Sequence, residues 1–397
     1  MTSQYIHVLL FLSLSGVFTQ NISTQHAEIV YSWKTVDYSW PTDTLKQAYI
    51  ATEQFVVENN IICGIKVLDG NVYVTVPRWK PGVPSTLNKV ITDPGNGNES
   101  ILEPFPNWAM QTVGDCNALQ YVQSMEVDPN TGYMWIIDTG RIHTSTNEPQ
   151  NICPAKLIVY DVRNNQLVHV HEFPENVASR TSTLLNDLVL DYVNGAVEFV
   201  YITDNGQTRL IVYNHKTNTS YFFQHPSMKE EPGIEVIIGV NKSEASTRQN
   251  INGIAMTYDF KFVYYYPLQG YSVYKVSTSV LRNQSSNFSV DFVGRKNELT
   301  GGMVASDKAL YNGGASSDAV YKLPRGRVDE QITLISDPEL RVDTLAIDVQ
   351  QNLWLVANSL DLFMTGTMNF SETNIHIWKI AMDENVYLYD AQSRTVR

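Results

Sequence analysis

Asp138, Asp187, Asp204 and Asp343 each stand at or beside the end of a short apolar run. A carboxylate there can cap a turn or help to hold a cation. Asn186, Asp187, Asn252 and Asp204 make a hard-oxygen set of the kind that binds Ca²⁺. Turn capping is the simpler role, because Asp and Asn mark most of the strand breaks in this chain, so no bound metal is expected. The stretch "GNVYVTVPRWKPGVPSTLNKV" (70–90) shows the pattern with cations instead. An alternating strand breaks at Pro77 into Arg78-Trp79-Lys80, whose charges suit an anion or an aromatic ring. The alternative is structural: Arg78 pairs with a carboxylate and Trp79 packs between neighbouring sheets. His169 and His171 share one strand face, but no third ligand is near them in sequence, so an exposed outer strand is expected. GxSxG, HExxH, P-loop and GxGxxG signatures are absent, and no cofactor is expected. The three cysteines, Cys63, Cys116 and Cys153, fit no zinc spacing. They leave either one disulfide and a free thiol or an intermolecular bridge.

The elements that carry these residues are short strands. The 397 residues are 43% hydrophobic, 11% aromatic and 17% charged, a composition able to fill a large core. A net charge of −13 excludes a nucleic-acid partner, which needs a basic surface. Helical periodicity is confined to "TDTLKQAYIATEQF" (42–55), where Thr42 or Asp43 caps a short amphipathic turn. Elsewhere a unit recurs: a small or polar start, an apolar strand, a turn, a second apolar strand and an abrupt polar break. It begins at Cys63, Ser124, Asn186, Asn252, Gly301 and Asp343, with starts 42 to 66 residues apart. Most units are followed by further strands such as "RLIVYNH" or "SVYKVST". Four short strands per unit and six units predict an all-β, six-bladed propeller, with a β-sandwich as the alternative. "AEIVYSWKTVDYSW" (27–40) has no unit of its own and is expected to close the last blade beside "NIHIWKIAMD" (374–383). The breaks at 77–79, 138–141, 203–205, 267, 312–313 and 358–359 then form a ring around one axial mouth.

The apolar run "VLLFLSLSGVF" (8–18), followed by small and polar residues, reads as a signal peptide over 1–19. The propeller is expected over 20–387 and a flexible tail over 388–397. No later run reaches the roughly 18 to 20 apolar residues of a membrane helix, so a secreted, extracellular protein without a membrane partner is expected. Export gives meaning to the glycosylation sequons at Asn21, Asn98, Asn218, Asn241, Asn283, Asn287 and Asn369.

"YSWKTVDYSWP", "FVVENNIICGIKV", "TVPRWKPGVPSTL", "MWIIDTGR", "CPAKLIVYDV" and "VYITDNGQTRLIVYN" together resemble the yellow and major royal jelly protein family. The likeness runs on through "YYYPLQGYSVYKVSTSVLR" to "LWLVANSL" and so covers nearly the whole chain after the leader. The resemblance implies a secreted six-bladed propeller. Family roles include pigmentation, dopachrome conversion, capture of biogenic amines, and nutritive or signalling proteins. Two cysteines common in the family are missing here, where the chain has "DPNTGY" and "SSDAVYKLP". The family positions that remain imply a Cys116–Cys153 disulfide with Cys63 unpaired. In amine-binding members a Thr, an Asn and an aromatic residue surround the mouth. By motif these fall on Thr344, Asn358 and Leu360, so the stacking ring is lost. The expected ligand site is thus Thr344, Asn358 and Leu360 with Tyr266, Trp79, Arg78, Asp138 and Asp204. Its expected partner is a small biogenic amine or catechol-like metabolite, bound without catalysis by a monomer. Two alternatives stand beside this. One is a dopachrome-converting isomerase, for which His143 is the histidine near the ring; the other is a structural or nutritive protein without ligand.

Overall fold

The computed structural model describes residues 26–93, 99–234, 250–314 and 317–394. The signal peptide and the sequons at Asn21, Asn98 and Asn241 lie outside them. The apolar strands form six four-stranded antiparallel sheets. Their innermost strands are Ile65–Leu68, Val122–Asp128, Leu185–Val193, Ile251–Met256, Met303–Ala305 and Val342–Ile347. Each neighbours the next around a ring that closes between the sixth and the first. The chain is a six-bladed β-propeller, and every innermost strand falls on a repeat unit read from the sequence.

Sequence pattern follows position in the blade. Lys156–Asp161, third in blade two, is buried at every residue, because its sheet is covered on both faces. The outermost strand, Gln166–Glu172, is largely exposed. Tight turns join the inner pairs: Asp69-Gly70 (φ 49° and 78°) and Asn194-Gly195 (φ 51° and 83°) supply the left-handed residues of a two-residue hairpin. Blade six is completed by the N-terminal strand Ala27–Trp33, which pairs antiparallel with Ile375–Ala381 as expected. The helix Asp43–Ala51 is shorter than its sequence pattern; Thr42 caps it by accepting from the Leu45 N–H. Cys116 and Cys153 are bonded, with Cα atoms 5.4 Å apart, and Cys63 is free and buried.

Of the tail expected to be loose over 388–397, residues 388–394 are instead packed against the propeller. Leu388 and Ala391 are fully buried, and the Arg394 guanidinium lies 3.6 Å from the centre of the Tyr258 ring. The Leu190 N–H donates to the Tyr387 hydroxyl (2.9 Å) and the Asn130 amide to the Leu388 carbonyl (2.9 Å). Asn385 bonds Asp307 in blade five. Asn130, Tyr258 and Asp307 lie at the turns joining first and second strands and Leu190 in the lower half of blade three's inner strand, so the segment crosses the underside of the propeller and ties blades two to five. Its apolar anchors are Val386, Tyr387 and Leu388, too few for a periodic signal.

Candidate functional site

Antiparallel register fixes where the polar breaks meet. Val122 pairs with Asp138, Leu185 with Asp204, Ile251 with Pro267, Met303 with Asn312 and Val342 with Ala357. The start of each inner strand therefore faces the end of its second strand. All of these lie at one mouth, opposite the face that the C-terminal segment crosses.

Residue pairs at the start of each repeat unit form the ring itself: Cys63-Gly64, Gln123-Ser124 (one residue ahead of the second unit's start), Asn186-Asp187, Asn252-Gly253, Gly301-Gly302 and Asp343-Thr344. Four of the inner strands change register here, as bulges that re-aim side chains at a rim. Every seam between neighbouring blades is bridged at this level. Thr75 donates to the Gln123 carbonyl (2.9 Å), Ser124 to Asp187 (2.8 Å) and the Asn186 amide to the Asn252 carbonyl (3.3 Å). The Tyr266 hydroxyl donates to the Gly302 carbonyl (3.0 Å), and the Gly302 N–H to the Asp343 carbonyl (2.8 Å). The ring closes where Thr344 donates to the Cys63 carbonyl and the Asn358 amide to the Ile62 carbonyl (2.8 Å) and Asp343 (2.9 Å). Glycine is required at Gly253, where a Cβ would stand 2.7 Å from the Tyr266 ring.

The expected site residues divide by what they touch. Thr344 and Asn358 sit at the mouth, but their donors stitch blade six to blade one. Leu360 is half-buried beside them, its N–H on the Asn358 carbonyl oxygen of the side chain (3.2 Å). Tyr266 is 1% exposed, with Lys296 4.6 Å above its ring. Trp79 packs on Phe363, so both rings lie behind the rim. Arg78 is 1% exposed. Its guanidinium donates to the carbonyls of Val83, Leu119, Gln120, Pro84 and Gln111 at 2.7 to 2.9 Å. Five carbonyls thus take the place of the single carboxylate expected from sequence. Asp138 accepts from the N–H groups of Gln120, Tyr121 and Gly140, and Lys156 is 3.6 Å away. Asp204 accepts from the Thr183 hydroxyl and from the N–H groups of Leu184 and Gln207. Both carboxylates hold the incoming loop of their own blade. His143 is half-buried; burial and the Arg78 charge push its pKa below the usual histidine value, so it is neutral at neutral pH.

His169 and His171 do have a histidine neighbour, contrary to the sequence reading. The His215 ring is 5.5 Å from that of His169, and the Tyr213 hydroxyl lies between them at 2.9 and 3.4 Å. Interleaving of blades two and three brings His215 there from another strand. Among the described residues no group of three or more His, Cys, Asp or Glu is arranged to hold a metal. Asn218, Asn283, Asn287 and Asn369 are all exposed.

Two carboxylates at the mouth stand apart. Asp187 accepts from Ser124 and the Leu188 N–H through one oxygen (Oδ1), and burial raises its pKa to about 6 against the pull of Lys66. Burial also raises Asp343, although Asn358 and Cys63 donate to it. In turn burial, and then Asp343, push the Cys63 thiol well above its usual value. Among the described residues neither carboxylate has a cation within ion-pair distance. Both keep surface open on the innermost strands. A cleft of about 640 Å³ lies elsewhere, between blades one and two, and no mouth residue lines it.

A six-bladed propeller closed by its N-terminal strand, with a polar ring at one mouth, is the class that fold and site define. Residues 121–387 match the major royal jelly protein family, and the chain belongs to it. Protein yellow of Drosophila madeirensis is 26% identical over 374 residues, covering 88% of this chain and 64% of that protein. The chain thus spans less than two thirds of that relative's length. A dopaminechrome tautomerase of Drosophila melanogaster is 26% identical over 399 residues, covering 92% of this chain and 84% of that one. The solved structure of a luciferin-regenerating enzyme superposes with a TM-score of 0.50 at 11% identity, covering 91% of this chain and 97% of that one. This last likeness is one of fold alone.

Proposed function

We propose that this protein is an extracellular, monomeric binder of a small aromatic amine or catechol-like metabolite, held at the propeller mouth. The observation that carries the reading is the pair of carboxylates, Asp187 and Asp343, at the mouth without an ion-paired cation. Charge in a confined polar site needs a counter-charge, and an acidic mouth attracts cations. A protonated amine supplies the charge, and Leu360 supplies apolar contact for its ring. Thr344 and Asn358 add hydrogen-bond acceptors while keeping their donors on blade one. The disulfide suits an oxidising compartment, and among the described residues no helix is long and apolar enough to cross a membrane.

Calorimetry with serotonin, dopamine, noradrenaline and histamine tests this. Stoichiometric heat is expected with at least one. Asp187→Asn or Asp343→Asn should weaken binding about tenfold or more, as loss of a charged hydrogen-bond partner does. Leu360→Phe should strengthen it by a few-fold, because ring pairing adds roughly 0.5 to 1.5 kcal/mol. No binding below millimolar, or binding indifferent to both carboxylate variants, would refute the assignment.

One observation favours a second reading. Asp187, with a pKa near 6, is tuned for proton transfer, and one relative bears the name dopaminechrome tautomerase. Spectral decay of dopaminechrome catalysed by the wild type and abolished by Asp187→Asn would select the isomerase.

A further inference from the structure

Propeller blades radiate from their axis, so the gap between facing blades widens toward the rim. Between blades one and two the gap is the 640 Å³ cleft, within the usual size of a small-ligand site. Its floor is one row across blade one: Tyr73 pairs with Lys89, and Lys89 with Glu103. Trp40 and Trp108 form a wall, with ring centres 4.8 Å apart and planes at 29°. The turn at residues 162–165 of blade two closes the far side.

We propose that this cleft is a binding site for a neutral saccharide chain. The charges that line it cancel: Lys89 and Arg163 against Asp69 and Glu103, with Arg163 gripping Asp69 at 2.8 and 3.1 Å. An ionic ligand therefore finds no net attraction. The indole N–H groups are committed inward, Trp40 to Asp37 (2.9 Å) and Trp108 to the Ser39 carbonyl (3.1 Å). The tryptophans thus offer ring surface and not donors. Tyr73 lines the cleft, and its hydroxyl, which has no hydrogen-bond partner among the described residues, is open to the cleft. A hydroxyl facing a cleft without a protein partner is free to donate to a ligand there and to accept from it. Burial, then Asp69 and Glu103, push this phenol up to about 12, so it stays a donor. Asn71 and Asn107 add amides able both to donate and to accept. A pyranose has one apolar C–H face and a rim of hydroxyls that donate and accept. It matches aromatic walls, mixed neutral polar groups and a waiting phenol. The site is independent of the mouth.

The test is calorimetry and tryptophan fluorescence on the full secreted chain. The probes are neutral tetrasaccharides: β1,4-linked N-acetylglucosamine, β1,4-linked glucose and α1,4-linked glucose. A proline-rich decapeptide, the competing occupant of an aromatic groove, is run beside them. At least one tetrasaccharide should bind and change the tryptophan emission. Tyr73→Phe keeps the ring and should weaken binding by roughly two- to tenfold, the value of one hydrogen bond. Asp343→Asn at the mouth should leave saccharide binding unchanged. The proposal is overturned if no tetrasaccharide binds at millimolar concentration, if Tyr73→Phe binds as tightly as wild type, or if only the peptide binds.

Discussion

At the level of single residues, Arg78 shows how chemistry read from a motif turns into architecture. Its type and its place after a strand break suggest a ligand-facing cation. Its surroundings give it five backbone carbonyls and no access to solvent. A planar fork with five donors fits that nest, whereas an ammonium has only three. Arg78→Lys keeps the charge and strands carbonyls that have no other donor. The expected loss is about 3 kcal/mol or more, read as a lower urea midpoint with an unchanged slope. Retention of wild-type stability would show that the nest adapts to lysine. Asp138 and Asp204 were legible in the same partial way: sequence placed them at the mouth as strand-end acids able to hold a loop, and the fold showed which N–H and hydroxyl groups each accepts from. Asp187 and Asp343 were visible as strand-start acids. That they lack an ion-pair partner depends on side chains from blades far apart in sequence.

Among the elements, alternation and turn chemistry told most of the story. All six inner strands, the closing N-terminal strand and the capped helix follow from local pattern, because each blade buries a continuous apolar strand between exposed ones. The C-terminal crossing did not, since its contacts to Asn130, Leu190, Asp307 and Tyr258 are individually ordinary side chains. The closing strand permits a direct test. Deleting Ala27–Trp33 leaves Ile375–Ala381 as an unpaired edge carrying Ile377, Trp378 and Ile380. Open apolar edges recruit other chains. The truncated protein is expected to self-associate in size-exclusion chromatography and to melt several degrees lower, as a loss of about 1 kcal/mol or more implies. A monomer with the original melting temperature would mean that blade six is stable with three strands. The single disulfide spans 37 residues between blade two's incoming loop and its third strand, and constrains the part of the mouth that Asp138 also holds.

For the whole molecule, the mouth combines a closed circuit of hydrogen bonds with negative charge that the circuit does not neutralise. Folding and binding should therefore respond to pH in opposite directions. The Asp187 carboxyl loses its proton near 6 in the folded chain against 3.8 ordinarily. Between those values the folded protein holds a proton that the unfolded chain has released. Its contribution to stability is present below 3.8 and is lost as pH rises through about 6. Asp343, also raised, acts in the same sense. A bound ammonium reverses the balance by favouring the ionised carboxylate, so amine affinity should climb as pH rises from about 5 to about 7.5. At the lower pH binding should expel a proton; at the higher it should not. Calorimetry in two buffers of different ionisation enthalpy reads that proton directly. Lys66, Ser124 and Glu126 face Asp187. His143, whose pKa burial and the Arg78 charge lower, is another titratable group near the mouth, and Asp187→Asn separates the two: the variant should bind more weakly and with a flattened pH profile. An affinity that does not change with pH in the wild type, or a slope that survives in Asp187→Asn, would remove Asp187 from the site and leave the charge of the mouth without a ligand to explain it.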